Sequence, residues 1–451
     1  MEILALLPLF VALFWTLARS PQLAFAQVWL PCLLLLPDFY HWDAPGLPDP
    51  TFHQSAILPI FGIWLLTGAR GWRFSFTDLL IFGFAFTVGF SEYLASGYRD
   101  AQNLMFNMLT SVVMPYMCAK AFIEPHGLRV TMARTFVWSL AIVTVFCVYE
   151  LRMGMDPFTW ILGRMFPGQG EGWITTFRYG FARVAGPYGH AILAGIVFLV
   201  AYRLARWLEW TGQWESKSKG RFFSAIMLAG MLMTLVRGPW LGSILGAGFT
   251  MLGRAKNRKA ALGWLFAIIL FVGVPAGVAA YRWASVGRAH ATSDSQETAA
   301  YRKELIDKYV DIALQRPAWG WGRNTWPRVD GMPSIDNYFL LLSLMHGFIA
   351  LGLFAGIIVF MSWRLVADAM RRPPPEMKGG SLGFTLAGIY IGIAFSLGTV
   401  YLGTTVVPLF AFITGWSEGY LLSGAGQTAD EKEEGDVASA PALGRFARVI
   451  Q

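Results

Sequence analysis

The sequence predicts an all-α membrane protein, a polytopic bundle of about 12–13 transmembrane helices with an extracytoplasmic loop that contains an amphipathic helix. Of its 451 residues, 55% are hydrophobic and 14% are charged, whereas soluble domains carry about 25% charged residues. Apolar segments near the length of about 20 residues that a spanning helix needs recur along the chain. The predicted spans are 3–18, 22–37, 54–68, 79–96, 102–121, 133–151, 188–207, 222–236, 239–253, 260–281, 337–361, 381–398 and 402–424.

Three units follow from this pattern. Residues 1–425 form the predicted transmembrane helical domain, and residues 282–336 are an extracytoplasmic loop inserted within it, too long for a plain connector. The N-terminus, Met1-Glu2-Ile3, lacks the basic region of a cleaved signal peptide, so we expect the first span to be retained. Residues 426–451 carry the acidic run Asp430-Glu431-Lys432-Glu433-Glu434 and are predicted to be a disordered cytoplasmic tail.

Short basic loops predict the orientation of the chain in the membrane. Three hydrophilic loops are rich in lysine and arginine, and the positive-inside rule places such loops in the cytoplasm. The hinge at Arg237 and the two longest loops, 152–187 and 282–336, then face outward. The basic residues of the three loops are Lys217, Lys219 and Arg221; Arg254, Lys256, Arg258 and Lys259; and Arg371, Arg372 and Lys378.

The outward loops nevertheless carry many arginines. Positive charge on the non-cytoplasmic side opposes the predicted topology, so we expect a functional demand for it, which an anionic ligand at the outer membrane surface would meet. The alternative is non-specific binding of anionic lipid headgroups. These arginines are Arg152, Arg164, Arg178, Arg183, Arg282, Arg288, Arg302, Arg316, Arg323 and Arg328.

Arg237 lies between two apolar runs, at the hinge Arg237-Gly238-Pro239. A permanent cation costs about 2.5–3.5 kcal/mol at the bilayer centre and less near the surface. The guanidinium group also suits a two-point grip on phosphate oxygens. The hinge therefore predicts an anion site at a membrane face, and the alternative is a snorkelling interfacial arginine.

The outer loop at 282–336 contains a predicted amphipathic helix. Apolar residues recur at spacings of three and four from Thr298 to Gln315, and Arg316-Pro317 ends the helix before a glycine turn between tryptophans. Such a helix lies along the membrane surface, where Arg302, Lys303 and Lys308 would face a lipid phosphate; alternatively, it only covers the mouth of the bundle. The loop ends at Asp336-Asn337, and one of these two residues is expected to cap the next helix.

A second basic approach to the membrane lies at residues 178–190. Arg178 and Arg183 come shortly before Gly186-Pro187 and a predicted helix start, which makes them further candidates for contact with an anion. His190 follows, and we interpret it as an interfacial histidine without chemistry.

Several catalytic patterns are absent from the sequence. It has no P-loop, so ATP-driven transport is not supported. It has no Asp-x-Asp pair, no HExxH and no paired cysteines, so no metal and no cofactor are predicted. Acidic residues inside the predicted spans are few, which argues against an ion-coupled transporter.

Three stretches resemble the C-terminal half of the O-antigen ligase and O-antigen polymerase superfamily, over roughly residues 178–365. The first is similar to the family's arginine-glycine hinge between two helices. The second is similar to its arginine, amphipathic helix, proline and Gly-x-Gly turn, and the third to its histidine-asparagine, leucine-rich stretch and glycine-rich helix. The stretches are Leu235–Trp240, Tyr301–Gly322 and Asp336–Gly352.

The resemblance implies a multi-pass glycosyltransferase of the bacterial inner membrane. Its active site would face the periplasm, and its donor would be a sugar carried on undecaprenyl diphosphate. Fixed arginines would stabilise the negative charge that grows on the departing diphosphate. The implied roles are Arg237 and Arg302 on the diphosphate, Arg178 and Arg183 in support, Asp336 as the base, and Asn337 and Tyr338 positioning the acceptor sugar or the helix end.

Asp336 stands where the family's ligases carry a histidine. A carboxylate also accepts a proton, but while ionised it does not help to hold a diphosphate. The first hypothesis is therefore a polymerase that joins polyprenyl-diphosphate-linked repeat units of an O-antigen, capsule or exopolysaccharide by inverting, metal-independent transfer. The alternatives are an O-antigen ligase acting on lipid A-core or protein, and a lipid-linked oligosaccharide flippase or transporter. The implied partners are the lipid-linked oligosaccharide, membrane lipid, a flippase and chain-length regulator proteins, with no nucleic acid.

Overall fold

A computed structural model describes residues 2–43, 48–169, 175–332, 334–372, 380–403 and 405–423. The acidic tail predicted at 426–451 lies outside these ranges. Within them the chain is an all-α bundle, as predicted, with one small hairpin of β1 (Phe177–Arg178) and β2 (Phe181–Ala182). The helices are α1 (Leu7–Ala18), α2 (Pro21–Ala24), α3 (Leu30–Leu35), α4 (Phe52–Leu66), α5 (Phe76–Ser96), α6 (Tyr98–Met108), α7 (Met114–Phe122), α8 (Arg129–Met153), α9 (Pro157–Leu162), α10 (Ala191–Trp210), α11 (Lys217–Met233), α12 (Arg237–Leu252), α13 (Arg258–Ile268), α14 (Val274–Ala284), α15 (Asp294–Gln315), α16 (Tyr338–Arg371), α17 (Leu382–Leu397) and α18 (Val406–Leu422).

Every predicted span falls on helical structure. Single π-helical turns join α2 to α3, α6 to α7 and α13 to α14 into continuous runs. By length and composition, five helices of the described residues are able to cross a membrane, and several shorter helices are also apolar. The total of about 12–13 spans therefore stays a prediction. The five long helices are Phe76–Ser96, Arg129–Met153, Ala191–Trp210, Arg258–Ala284 and Tyr338–Arg371.

Helices α12 and α17 pack closely through facing glycines. A Cβ atom at Gly246 would lie 2.3 Å from the carbonyl oxygen of Gly388, and one at Gly242 would lie 2.5 Å from that of Gly392. Small residues allow helix backbones to approach closely in membranes, where packing rather than the hydrophobic effect drives association. This contact fixes α12, which begins at Arg237, against the end of α17.

The helix ends divide the charged loops between two ends of the bundle. Arg258 donates from Nη1 to the carbonyl oxygens of Ala369 and Arg372, at 3.0 and 2.7 Å. The guanidinium group of Arg254 lies 4.7 Å from the ring of Trp210. The three basic loops therefore share one end, as predicted. Because α12 runs from Arg237 towards these loops, the Arg237 hinge lies at the opposite end.

The long helix α16 is broken at Gly347, whose backbone has φ 77° and ψ 177°. The segment that follows α15 fills the break. The amides of Trp321 and Gly322 donate to the carbonyls of Leu344 and Met345, each at 2.8 Å, and the amide of Phe348 donates to the carbonyl of Pro317 at 2.6 Å. These hydrogen bonds satisfy backbone groups that a kinked membrane helix would otherwise leave without partners. The same hydrogen bonds join residues 317–322 to α16.

We expect Gly347→Ala to destabilise the protein by roughly 2–5 kcal/mol, because it combines a glycine-only backbone conformation with severe crowding. A Cβ atom at Gly347 would lie 2.2 Å from the carbonyl oxygen of Ala318, whereas at Gly352 it would meet nothing within 4 Å. Gly352→Ala, in the same helix, is the matched control. The measurement is the midpoint of thermal unfolding in detergent, and equal midpoints for the two variants would contradict this account of the break.

Candidate functional site

A β-hairpin contacts the turn at residues 234–236, directly before Arg237, the first residue of α12. Tyr179 and Gly180 both have positive φ, 55° and 80°, which is the geometry of the two-residue turn that joins β1 to β2. Arg178, at the end of β1, donates from Nη1 to the carbonyl oxygen of Leu235 at 2.6 Å. Leu235 itself has φ 52°. Arg178 therefore supports the strained turn from which Arg237 emerges.

Arg237 is the first residue of α12 and is exposed. Its Nη2 donates to the hydroxyl of Tyr179 at 3.0 Å, and its Nη1 donates to the hydroxyl of Ser295 at 3.1 Å. The cation beside it lowers the pKa of Tyr179. Two neutral hydroxyls thus hold the guanidinium group at a helix N-terminus, whose own partial charge also favours an anion.

Asp336 lies close enough to Arg302 to act on its charge. Burial lowers the pKa of Arg302, Asp336 opposes that shift, and Arg178 adds to it. Nη2 of Arg302 donates to the carbonyl oxygen of Thr399 at 3.4 Å, while its buried Nε meets no hydrogen-bond partner among the described residues. Asp336 is half-buried and accepts a hydrogen bond from Ser334 at 3.1 Å.

Thr399 lies between Arg302 and the Arg237 hinge. A Cβ atom at Gly238 would lie 2.5 Å from the hydroxyl oxygen of Thr399, whose carbonyl oxygen accepts from Arg302. The structure therefore brings the hinge, Arg302, Asp336 and Arg178 to the same end of the bundle. It assembles them from α12, α15, the residues before α16 and the hairpin.

The two residues after Asp336 have structural partners. The side chain of Asn337 caps α16 by accepting from the amide of Leu340 at 3.2 Å. This makes Asn337, rather than Asp336, the helix cap that the sequence predicted at one of the two positions. Tyr338 is buried, with its ring 5.1 Å from that of Phe354. Asp336 is thus not required for capping.

Arg183 and His190 extend the basic region behind Arg178. Burial, and next the charge of Arg178, lower the pKa of Arg183 to about 10. His190 accepts from the amide of Ile192 at 3.1 Å and thereby caps α10; its interpretation as a residue without chemistry stays a prediction.

Glu150 holds the segment between the hairpin and α10 in place, a role that the sequence analysis did not assign. Its carboxylate is fully buried and accepts from the amides of Ala185 and Gly186, at 2.8 and 2.9 Å. A signal was present in the sequence, because an acidic residue in the last turn of a helix opposes the helix dipole. Tyr179, Ser295 and Thr399, which contact the arginines, carried no such signal.

We expect Glu150→Ala to lower the free energy of unfolding by about 2–3 kcal/mol, because it leaves two buried amides without an acceptor. The control is Glu215→Ala, which removes a surface carboxylate paired with Lys219 at 2.9 Å and should change stability by about 1 kcal/mol or less. Thermal unfolding of both variants in detergent provides the comparison. A loss for Glu150→Ala no larger than that of the control would show that the clamp is dispensable.

Two cavities open near these loops. One, of about 310 Å³, lies between α5 and residues 316–320, and another, of about 490 Å³, lies between the end of α14 and α15. None of the seven predicted site residues lines either cavity. That Arg237, Arg302 and Asp336 share one cavity stays a prediction. Within the described ranges, no three His, Cys, Asp or Glu side chains are placed to hold a metal ion.

Comparison with known proteins finds a similarity over this region. Residues 222–355 match a family model described as O-antigen ligase. The matched segment contains Arg237, Arg302, Asp336 and the broken part of α16. No curated protein matches the chain in a sequence search. Over this segment the chain is similar to the O-antigen ligase family.

Proposed function

We propose that this protein is a polymerase that joins oligosaccharide repeat units carried on undecaprenyl diphosphate, at the periplasmic face of the bacterial inner membrane. The observation that carries the proposal is that Arg302 and Gly238 of the Arg237 hinge both meet Thr399, with Asp336 near enough to act on the charge of Arg302. A cation for the leaving group and a carboxylate for the acceptor therefore lie in the same region. The match to the O-antigen ligase family over residues 222–355 supports glycosyl transfer between lipid-linked substrates.

Arg302 and Arg237 serve the departing diphosphate in this proposal. Attack on the anomeric carbon breaks its bond to the phosphate oxygen, and negative charge grows on the diphosphate as that bond breaks. Guanidinium groups already fixed in place stabilise this charge more in the transition state than in the ground state. The buried Nε of Arg302 and the exposed guanidinium of Arg237 supply the donors, and Arg178 and Arg183 add positive field behind them.

Asp336 serves the acceptor. The acceptor hydroxyl oxygen forms the new bond to the anomeric carbon, and its proton passes to the Asp336 carboxylate, while the electron pair of the broken bond leaves with the diphosphate. Attack from the face opposite the leaving group inverts the anomeric centre. Because Asn337 caps α16, Asp336 is available for this role. No metal ion is required in the scheme, since arginines neutralise the leaving group.

The second candidate is an O-antigen ligase, which the description of the matching family model favours. The same arginines would serve its donor, and the acceptor would be lipid A-core or a protein. The carboxylate at 336 favours the polymerase, because the resembling ligases carry histidine at that position.

Incubation of the purified protein with a single lipid-linked repeat unit tests the proposal. A ladder of product lengths is the expected result. A single transfer that occurs only after lipid A-core or a protein acceptor is added would indicate the ligase. Movement of the substrate across a vesicle bilayer without any covalent product would indicate a flippase or transporter, and would refute glycosyl transfer.

A further inference from the structure

The cavity between α5 and the loop after α15 has no role in the scheme above. Its volume is about 310 Å³, and α5 contributes Leu94 and Ala95 to its wall. The loop contributes Pro317, Trp319 and, at the end of α15, Arg316. The ring of Trp319 also lies 4.9 Å from that of Phe90 on α5, which closes one side. The wall is therefore mostly apolar, with a single cation at its edge.

The cavity opens on a surface that would face lipid. Leu94 is 53% exposed and Phe86, two turns earlier on α5, is 60% exposed. Apolar side chains of a membrane helix that are not covered by protein contact hydrocarbon. The apolar tail of a membrane lipid would therefore enter the cavity laterally from the bilayer, without crossing water.

Arg316 is prepared to bind an anion. Its guanidinium carbon lies 4.2 Å from the centre of the Trp321 ring, while the residue remains exposed. No carboxylate pairs with Arg316 in the part of the chain that the structure describes. The neighbouring Arg323, in contrast, is 3.5 Å from the buried Glu92. An apolar slot beside an unpaired arginine has the chemistry to bind a phosphate-headed lipid.

This place is separate from the proposed reaction centre. Arg302 and Arg316 both lie on or next to α15, 14 residues apart, which corresponds to about 21 Å along a helix. A polymerase takes two lipid-linked substrates. The diphosphate of the donor lies at the attacked carbon, whereas the diphosphate of the acceptor lies a whole repeat unit away from the attacking hydroxyl. The separation suits an acceptor that extends along α15 from Arg316 towards Asp336.

We propose that the cavity bounded by Leu94, Trp319 and Arg316 binds the polyprenyl diphosphate of the acceptor substrate. This inference rests on the proposed polymerase function. Arg316 binds the diphosphate, the apolar wall binds the first isoprene units, and the oligosaccharide reaches the reaction centre.

The test compares two acceptors in nanodiscs of phosphatidylcholine that contain the full-length protein. One acceptor is the lipid-linked repeat unit, and the other is the same oligosaccharide without lipid, which needs no lipid site. For Arg316→Ala the ratio of lipid-linked to lipid-free transfer should fall about tenfold or more, as expected when a charged hydrogen bond is lost. Leu94→Trp fills the cavity and should lower the same ratio by a similar factor. Arg328→Ala is the matched control, since Arg328 is also an exposed loop arginine that lies over a tryptophan, and it should keep the ratio.

An unchanged ratio in both cavity variants would overturn the proposal, and so would an equal loss of both transfers, which indicates a role in folding only. A second measurement does not depend on activity. A sugar-free polyprenyl diphosphate with a photoreactive group should label residues 91–95 or 316–320, and Arg316→Ala should weaken this labelling. Absence of labelling there, or its displacement by excess phosphatidylglycerol, would refute an acceptor site. Labelling without any glycosyl transfer would instead refute the polymerase and leave a lipid site.

Discussion

Asp336→Asn is expected to abolish glycosyl transfer while donor binding and folding stay intact. Asparagine keeps the size of the side chain but does not take a proton, and loss of a general base costs about 10²–10⁴-fold in rate. The helix should not suffer, because Asn337 provides the cap through its bond to the Leu340 amide. Polymer formation by the purified variant, together with its thermal unfolding midpoint, measures the two effects separately.

The complementary variant is Asp336→His, which introduces the residue type of the resembling ligases. Activity in the histidine variant but not in the asparagine variant would support a proton-accepting role. Full-length polymer from the asparagine variant would refute that role and leave Asp336 as a partner of Ser334 and Arg302 only.

Arg237→Lys is expected to lose most of the activity even though the positive charge is kept. Lysine lacks the planar fork that binds two phosphate oxygens at once, and removal of one fixed donor to a developing anion costs about 10²–10³-fold in kcat. The structure strengthens this expectation, because two bonds, to Tyr179 and Ser295, orient the guanidinium group. The measurement is kcat for polymer formation with a lipid-linked repeat unit.

Arg282→Lys is the control for that experiment, since Arg282 is an exposed arginine in the last turn of α14, outside the site. It should retain normal activity. Near-normal polymer from Arg237→Lys would show that a diffuse positive field is sufficient, and would favour non-specific attraction of anionic headgroups.

Local patterns predicted much of the fold and part of the site. Hydropathy located the helical segments, and the spacing of apolar residues indicated the helix at 298–315. The structure starts this helix at Asp294, because the side chain of Ser293 caps it by accepting from the Gln296 amide. The pair Asp336-Asn337 predicted a cap, and the local hydrogen bond assigns it to Asn337. The helix caps and the spacings of three and four residues depend on residues within about one helical turn of each other.

Features that depend on distant residues were not predictable from the sequence. Apolar character continues through Gly347, so hydropathy gives no sign that α16 breaks there; the break exists because residues 317–322 supply its hydrogen bonds. Tyr179 and Ser295 are each 58 residues from Arg237 in the chain, and no periodic pattern connects them. The same holds for Glu150, which clamps a turn 35 residues away.

A cryo-EM structure of the protein with bound undecaprenyl-diphosphate-linked repeat unit tests the central claim most directly, namely that Arg237, Arg302 and Asp336 act on one donor. We predict diphosphate density within hydrogen-bond distance of Arg302 and Arg237, with the Asp336 carboxylate on the opposite side of the anomeric carbon. Diphosphate density that contacts neither arginine would contradict the account. So would an anomeric carbon so far from Asp336 that no acceptor hydroxyl placed between them could contact both.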